Sequence, residues 1–166
     1  FNDYLELRAL ALMVETLLNG RPFDEFFLYA SKYKVSKTEI LKELLESIKT
    51  APAEIQSIYN DFLSETANEL WDSEKDLLDH YKTDENYKKL KAGLVGGNLI
   101  YKYKVRGLVL SLFDWLEYIE QTIYKILLQK KIIDINAEEL EKQLTNIKEF
   151  CKNKLSGIFD YNNEQK

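Results

Sequence analysis

Residues Leu99 to Lys131 read LIYKYKVRGLVLSLFDWLEYIEQTIYKILLQKK, and this stretch decides the fold. Leu108, Leu112, Trp115, Leu116, Ile119, Ile123 and Ile126 recur every three or four positions, the period at which side chains return to one face of an α-helix. Asp114, Glu117, Glu120 and Lys125 interrupt the run, so it falls short of the roughly 18 apolar residues that a membrane span needs. The spacing predicts one long central amphipathic helix over residues 99–131.

Working outward, the same logic punctuates the rest of the chain. Gly96-Gly97-Asn98 precedes the long helix, with Asn98 placed to cap its first turn. Downstream, Asn136 and Glu139 are spaced to cap a last helix reaching about Leu155, and residues 161–166 read as a polar tail. At the other end, Leu7, Leu10, Ala11, Val14, Leu17 and Leu18 predict a first helix over residues 2–19 with those side chains buried, closed by Gly20. Pro22, followed by Asp24-Glu25, opens a second helix to about Tyr33. Ser36 and Glu39 form a capping box for a third, reaching Ile48. Thr50-Ala51-Pro52 starts a fourth, carrying Ile55, Ile58, Tyr59, Phe62, Ala67 and Leu70, with a break near Asp72-Ser73 before Leu77, Leu78 and Tyr81. Thr83-Asp84 begins a short helix containing Tyr87, Leu90 and Leu94. Strand signals are thin throughout. The expected fold is all-α: a single bundle of six to seven helices, with residues 1–160 as one helical domain.

Composition agrees. The chain has 166 residues, 45% hydrophobic and 31% charged, enough for one core and typical of a globular protein. A single cysteine, Cys151, excludes an intrachain disulfide and a cysteine-built zinc site, and a single histidine, His80, excludes a multi-histidine metal centre. The net charge of −5 argues against a dedicated nucleic-acid binder, because phosphate neutralisation needs a strong basic surface. The charge is also segregated. Glu54 to Asp79 is acidic apart from Lys75, whereas Lys82 to Arg106 is basic apart from Asp84 and Glu85. Compensating helix faces account for this pattern, and so does a docking surface. No signal peptide or membrane span is evident, so a cytoplasmic location is expected. The start at Phe1 reads as a piece of something longer.

The candidate chemistry is sparse. Asp76 and His80 share a helix face, but a metal wants more ligands, and Leu77 occupies the position that a Glu-x-x-His motif requires. Cys151, between Phe150 and Lys152, reads as a packed thiol, since a nucleophile needs an adjacent base and an electropositive setting. Glu65, Glu69, Asp72 and Asp76 form a carboxylate ladder whose members repel and stay solvated. Gly93, Gly96 and Gly97 lack the preceding strand and the Gly-Lys-Ser/Thr of a P-loop, which leaves a helix terminator, although a helix N-terminus beyond it could hold an anion. Tyr101, Lys102, Tyr103, Lys104 and Arg106 alternate aromatic and basic groups, a pattern that stacks single-stranded nucleic acid or packs a tyrosine among snorkelling lysines.

Two longer stretches carry a family resemblance. LRALALMVETLLNGRPF, residues 7–23, with Phe26-Phe27, and later GGNLIYKYK, residues 96–104, resemble the helical C-terminal region of cobalamin-binding radical SAM proteins. The resemblance spans most of the chain in order and spacing. It implies a parent enzyme with an iron–sulfur cluster, S-adenosylmethionine and cobalamin. The cluster's Cys-x-x-x-Cys-x-x-Cys run is absent here, and Leu78-Asp79-His80-Tyr81-Lys82 does not match the cobalamin signature Asp-x-His-x-x-Gly. No catalytic, cofactor or metal residue is therefore expected in this chain. The resemblance implies a noncatalytic accessory domain that contacts the parent's catalytic domains, with Arg21, Asn98, Tyr101, Lys102 and Arg106 as the candidate interface. A stand-alone interaction module, homodimeric or adaptor-like, is the alternative.

Overall fold

The computed structural model describes residues 2–93, 95–130 and 136–160, with side chains described up to residue 156. Among these residues every regular element is helical: nine α-helices and one 3₁₀ turn, more than the six to seven expected. They are α1 (Asn2–Leu17), α2 (Asp24–Lys32), α3 (Lys37–Glu46), α4 (Ala53–Asn68), α5 (Glu74–Tyr81), α6 (Asp84–Lys91), α7 (Leu99–Leu110), α8 (Leu112–Gln129) and α9 (Ala137–Asp160). The expected polar tail, Leu94 and Lys131 lie outside the described residues.

The expected central helix is two helices. It breaks at Ser111, whose backbone (φ −129°, ψ 26°) leaves the helical region. Ser111 is buried, and both its N–H (3.1 Å) and its Oγ (2.8 Å) donate to the Gly107 carbonyl, which closes α7 locally. The break lets α7 lie on α1 and α4 while α8 enters the main core. Gly107 lies in the junction, where a Cβ would sit in ordinary contact at 3.4 Å from Trp115 Nε1 and 3.8 Å from Thr16 Cγ2.

The main core is organised on α8. Leu112, Trp115, Leu116, Ile119, Ile123 and Ile126 are buried as the periodicity predicts, and Leu108 is partly buried against the same cluster. Tyr118, Thr122 and Leu127 widen the buried face to both sides. Phe23, Phe26 and Phe27 pack into this core from the α2 region, Ile40 and Leu44 from α3, and Leu140, Leu144 and Cys151 from α9. Polar tethers fix the neighbours' register: Tyr118 donates to the Leu44 carbonyl (2.8 Å), Lys125 to Glu43 (2.6 Å) and Lys148 to Glu120. A second, smaller cluster of Leu12, Ile58, Phe62, Leu99 and Tyr103 holds α1, α4 and α7 together.

Helix α1 buries only part of the expected face: Leu17 is buried and Val14 and Leu18 pack partly buried against the core, but the face is shifted toward Ala9, Leu12, Met13 and Thr16. Ala9, Leu12, Met13, Thr16 and Leu17 are buried, whereas Leu7 is 66% exposed and Leu10 is also exposed. The helix is apolar on two sides, so periodicity alone admitted either face. The second helix starts at Asp24, two residues after Pro22, with no side-chain cap at Phe23. The other start signals act as anticipated. Ser36 Oγ accepts from Glu39 N (3.1 Å) and Asn136 Oδ1 from Glu139 N (3.0 Å). Ser73, at the expected break, proves to be a cap as well, its Oγ accepting from Asp76 N (3.2 Å).

Truncation distinguishes the two faces of α1. Leu12→Ala, like Leu116→Ala in α8, is expected to cost about 2–5 kcal/mol in denaturant unfolding, and Leu7→Ala to stay within about 0.5 kcal/mol. A larger loss at Leu7 than at Leu12 would contradict the packing.

Candidate functional site

The candidate residues Asn98, Tyr101, Lys102 and Arg106 all belong to the start of α7, where it runs antiparallel to α4. Asn98 is the N-cap: its Oδ1 accepts from Tyr101 N at 3.1 Å. Lys102 Nζ donates to both carboxylate oxygens of Glu65 (2.8 and 2.7 Å), and Tyr103 OH donates to Glu65 Oε2 (2.7 Å). Arg106 Nη1 donates to Asp61 (2.7 Å), with Glu54 at 3.7 Å from Nη2. The acidic and basic halves of the sequence thus meet along this seam. Arg21 lies elsewhere, in a left-handed backbone conformation (φ 58°), and pairs with Asp24 at 2.8 Å.

The seam is both ionic and aromatic. Tyr103 packs edge-to-face on Phe62 (centroids 5.5 Å), and Arg8 lies over the other partner, Phe62, at 5.6 Å. Burial alone would raise the Glu65 carboxyl, but the hydrogen bonds from Lys102 and Tyr103 outweigh it and hold the group below its ordinary 4.5. Burial, and then the neighbouring Glu65, push the Tyr103 phenol up to about 12.

Tyr101 remains free of the seam. It is 65% exposed and begins a row with Val105 (41%) and Val109 (54%), spaced four residues apart on the outer face of α7. Lys104, on the same helix, pairs with Glu15 of α1 at 3.2 Å. Two of the nearby elements, α1 and α7, contain the stretches that carry the family resemblance, and they pack directly against each other.

Next to the seam lies a cleft of about 950 Å³, between the α5–α6 hairpin and the joined ends of α4 and α7. Its walls include Leu77, Leu78, Leu90 and Leu99, with Trp71, His80 and Tyr81 as an aromatic trio. The ring centroids of Trp71 and His80 are 4.6 Å apart, and those of His80 and Tyr81 5.0 Å. Gly96-Gly97-Asn98 forms part of the rim. Gly93 (φ 69°) and Gly96 (φ 73°) supply the left-handed turns that carry the chain from α6 to α7. Neither α5 nor α6 buries a residue, and each packs extensively only on the other.

The remaining candidates are not brought together. Asp76 accepts from Ser73 Oγ at 2.6 Å and belongs to a helix cap, while exposed His80 packs against Trp71 with the rings tilted by 48°. Cys151 is buried, and burial, followed by the adjacent Glu25 carboxylate, pushes its thiol up to about 12, the reverse of what a nucleophile needs. Among the described residues no three His, Cys, Asp or Glu side chains converge as a metal site, and no helix is long and apolar enough to cross a membrane. Sequence reasoning missed the cleft. Its signal was the clustering of Trp71, His80 and Tyr81 with Leu77, Leu78 and Leu90 in two short helices. Comparison with known protein families, characterised proteins and solved structures finds no match to this chain.

The seam gives a pH-dependent prediction. Because Glu65 is depressed in the folded state, its contribution is present above the unfolded pKa and disappears as pH falls through the folded one. Glu65→Gln is expected to cost about 0.5–1 kcal/mol at neutral pH, a size limited by solvent screening, and the gap from the parent should close as pH falls below the ordinary carboxylate range. Urea unfolding at several pH values checks this; a gap that widens on acidification would contradict it.

Proposed function

We propose that the chain is a noncatalytic, cytoplasmic helical accessory domain of a larger cobalamin-binding radical SAM enzyme, docking on its parent's catalytic domains through the outer face of α7. The observation that carries this reading is the division of labour on α7. Lys102 and Arg106 are bound to α4 and Asn98 caps the helix, whereas Tyr101, Val105 and Val109 form a row of apolar contact surface facing outward. A row of this kind on a helix face is how amphipathic helices are recognised by partners. The pairing of the two resemblance-bearing stretches as α1 against α7 supports the same reading, because they then belong to one surface. The iron–sulfur cluster, S-adenosylmethionine and cobalamin belong to the parent's other domains in this account. The catalytic chemistry is likewise the parent's in this account, with Cys151 locked in the core and His80 exposed beside Trp71.

A second reading, a stand-alone interaction or dimerisation module, draws on the exposed Tyr4, Leu7 and Leu10 of α1, which offer a further apolar strip.

The two readings separate by calorimetry and sedimentation. Titrated with the catalytic region encoded in the same gene, the chain is expected to bind, and Val105→Glu with Val109→Glu to weaken that binding at least about tenfold. No binding, unchanged affinity in the variant, or a gene lacking the Cys-x-x-x-Cys-x-x-Cys run would contradict the first reading. A dimer dissociated by Leu7→Glu with Leu10→Glu, and not by the α7 substitutions, would favour the second.

A further inference from the structure

We propose that the cleft between the α5–α6 hairpin and the ends of α4 and α7 is a binding site for an amphipathic helix with basic residues along its polar edge, supplied by a partner protein. This site is separate from the outer row on α7, and neither depends on the other.

The first argument is an energetic deficit in the hairpin. α5 and α6 have eight residues each, and isolated helices shorter than about 12–15 residues are marginal in water. Tertiary packing of an apolar face normally makes up the difference, yet neither helix buries a side chain. Their leucines, Leu77, Leu78 and Leu90, face an open cleft instead, with Leu78 52% exposed. A third apolar helix laid along the cleft would give the hairpin the packing partner it lacks.

The second argument is the charge and chemistry of the walls. The lining carboxylates are Glu65 and Glu69, and the lining cation is Lys102. Glu65 neutralises Lys102, which leaves Glu69 uncompensated. Among the described residues Glu69 makes no ion pair, so the lining carries one uncompensated carboxylate. The aromatic trio meets the same end of the cleft, and the face of a tryptophan attracts a lysine or arginine. The basic side chains of α6, Lys88, Lys89 and Lys91, are not part of the lining. An apolar trough that carries the unpaired Glu69 carboxylate and an aromatic trio complements an incoming helix that is apolar on one face and basic at its edge. A small apolar molecule would fill the trough but leave the carboxylate unused.

The probe is a synthetic amphipathic peptide of about fourteen residues, built from leucine and lysine at helical spacing. Its counterpart has every lysine replaced by glutamate. The full chain is titrated with each while tryptophan emission is followed; Trp71 is half-exposed, whereas Trp115 is buried. The leucine–lysine peptide is expected to bind at about 10 µM or tighter with a blue shift that Trp71→Phe abolishes. Leu78→Glu and Glu69→Lys, both at exposed positions and checked for folding by far-UV circular dichroism, should each weaken binding about tenfold. Val109→Glu, on the outer row of α7, should leave it within about twofold, so that failure here and failure of the accessory-domain reading are told apart. Equal binding of both peptides, insensitivity to Leu78→Glu, or a shift produced by decanoate alone and not by the peptide would overturn the proposal.

Discussion

Burial of α8 is the constraint on which the rest of the structure depends. Nine of its eighteen residues are buried, on a face too wide for one neighbour to cover. Helices α2, α3 and α9 must therefore surround it, and Phe23, Phe26, Ile40, Leu44, Leu140 and Leu144 supply the interlocking side chains. Ending α7 at Ser111 follows from the same demand, because a straight continuation could not serve both clusters at once. With Ser111 turned, α7 is released to build the second cluster with α1 and α4.

That arrangement distributes polarity in a way that bears on function. The acidic stretch of α4 and the basic stretch of α7 are brought into register, so Glu65 meets Lys102 and Asp61 meets Arg106. Each exposed pair contributes little to stability, but together with the Glu65–Tyr103 hydrogen bond they set which face of α7 turns outward. The charges of Lys102 and Arg106, which looked available in the sequence, are occupied inside the molecule. What α7 leaves exposed on its outer face is apolar.

The legible part of the fold was the part governed by local chemistry. Ser36, Asn98 and Asn136 cap helices because each needs only the amides three residues on, and the stripe on α8 is buried because its period is unambiguous. The break at Ser111 was hidden because the apolar pattern runs on through it, and only the packing of α7 and α8 into different clusters shows the turn. The face of α1 was misread in part, at Leu7 and Leu10, because they match helical spacing as well as Leu12, Met13 and Thr16 do. At the site, Tyr101 was recognisable as an aromatic on a helix start, whereas the engagement of Lys102 and Arg106 required knowing that α4 lies opposite. The cleft could not be foreseen from spacing, since it arises from the way α5 and α6 fold back on each other.

Native-state hydrogen exchange tests the central claim, a hierarchy in which α8 anchors the molecule and α5–α6 stands outside its core. Amides from Trp115 to Leu127 are predicted to exchange only through global unfolding, while those from Glu74 to Lys91 exchange through local opening at far lower free energy. Protection of α5–α6 equal to that of α8 would contradict the account.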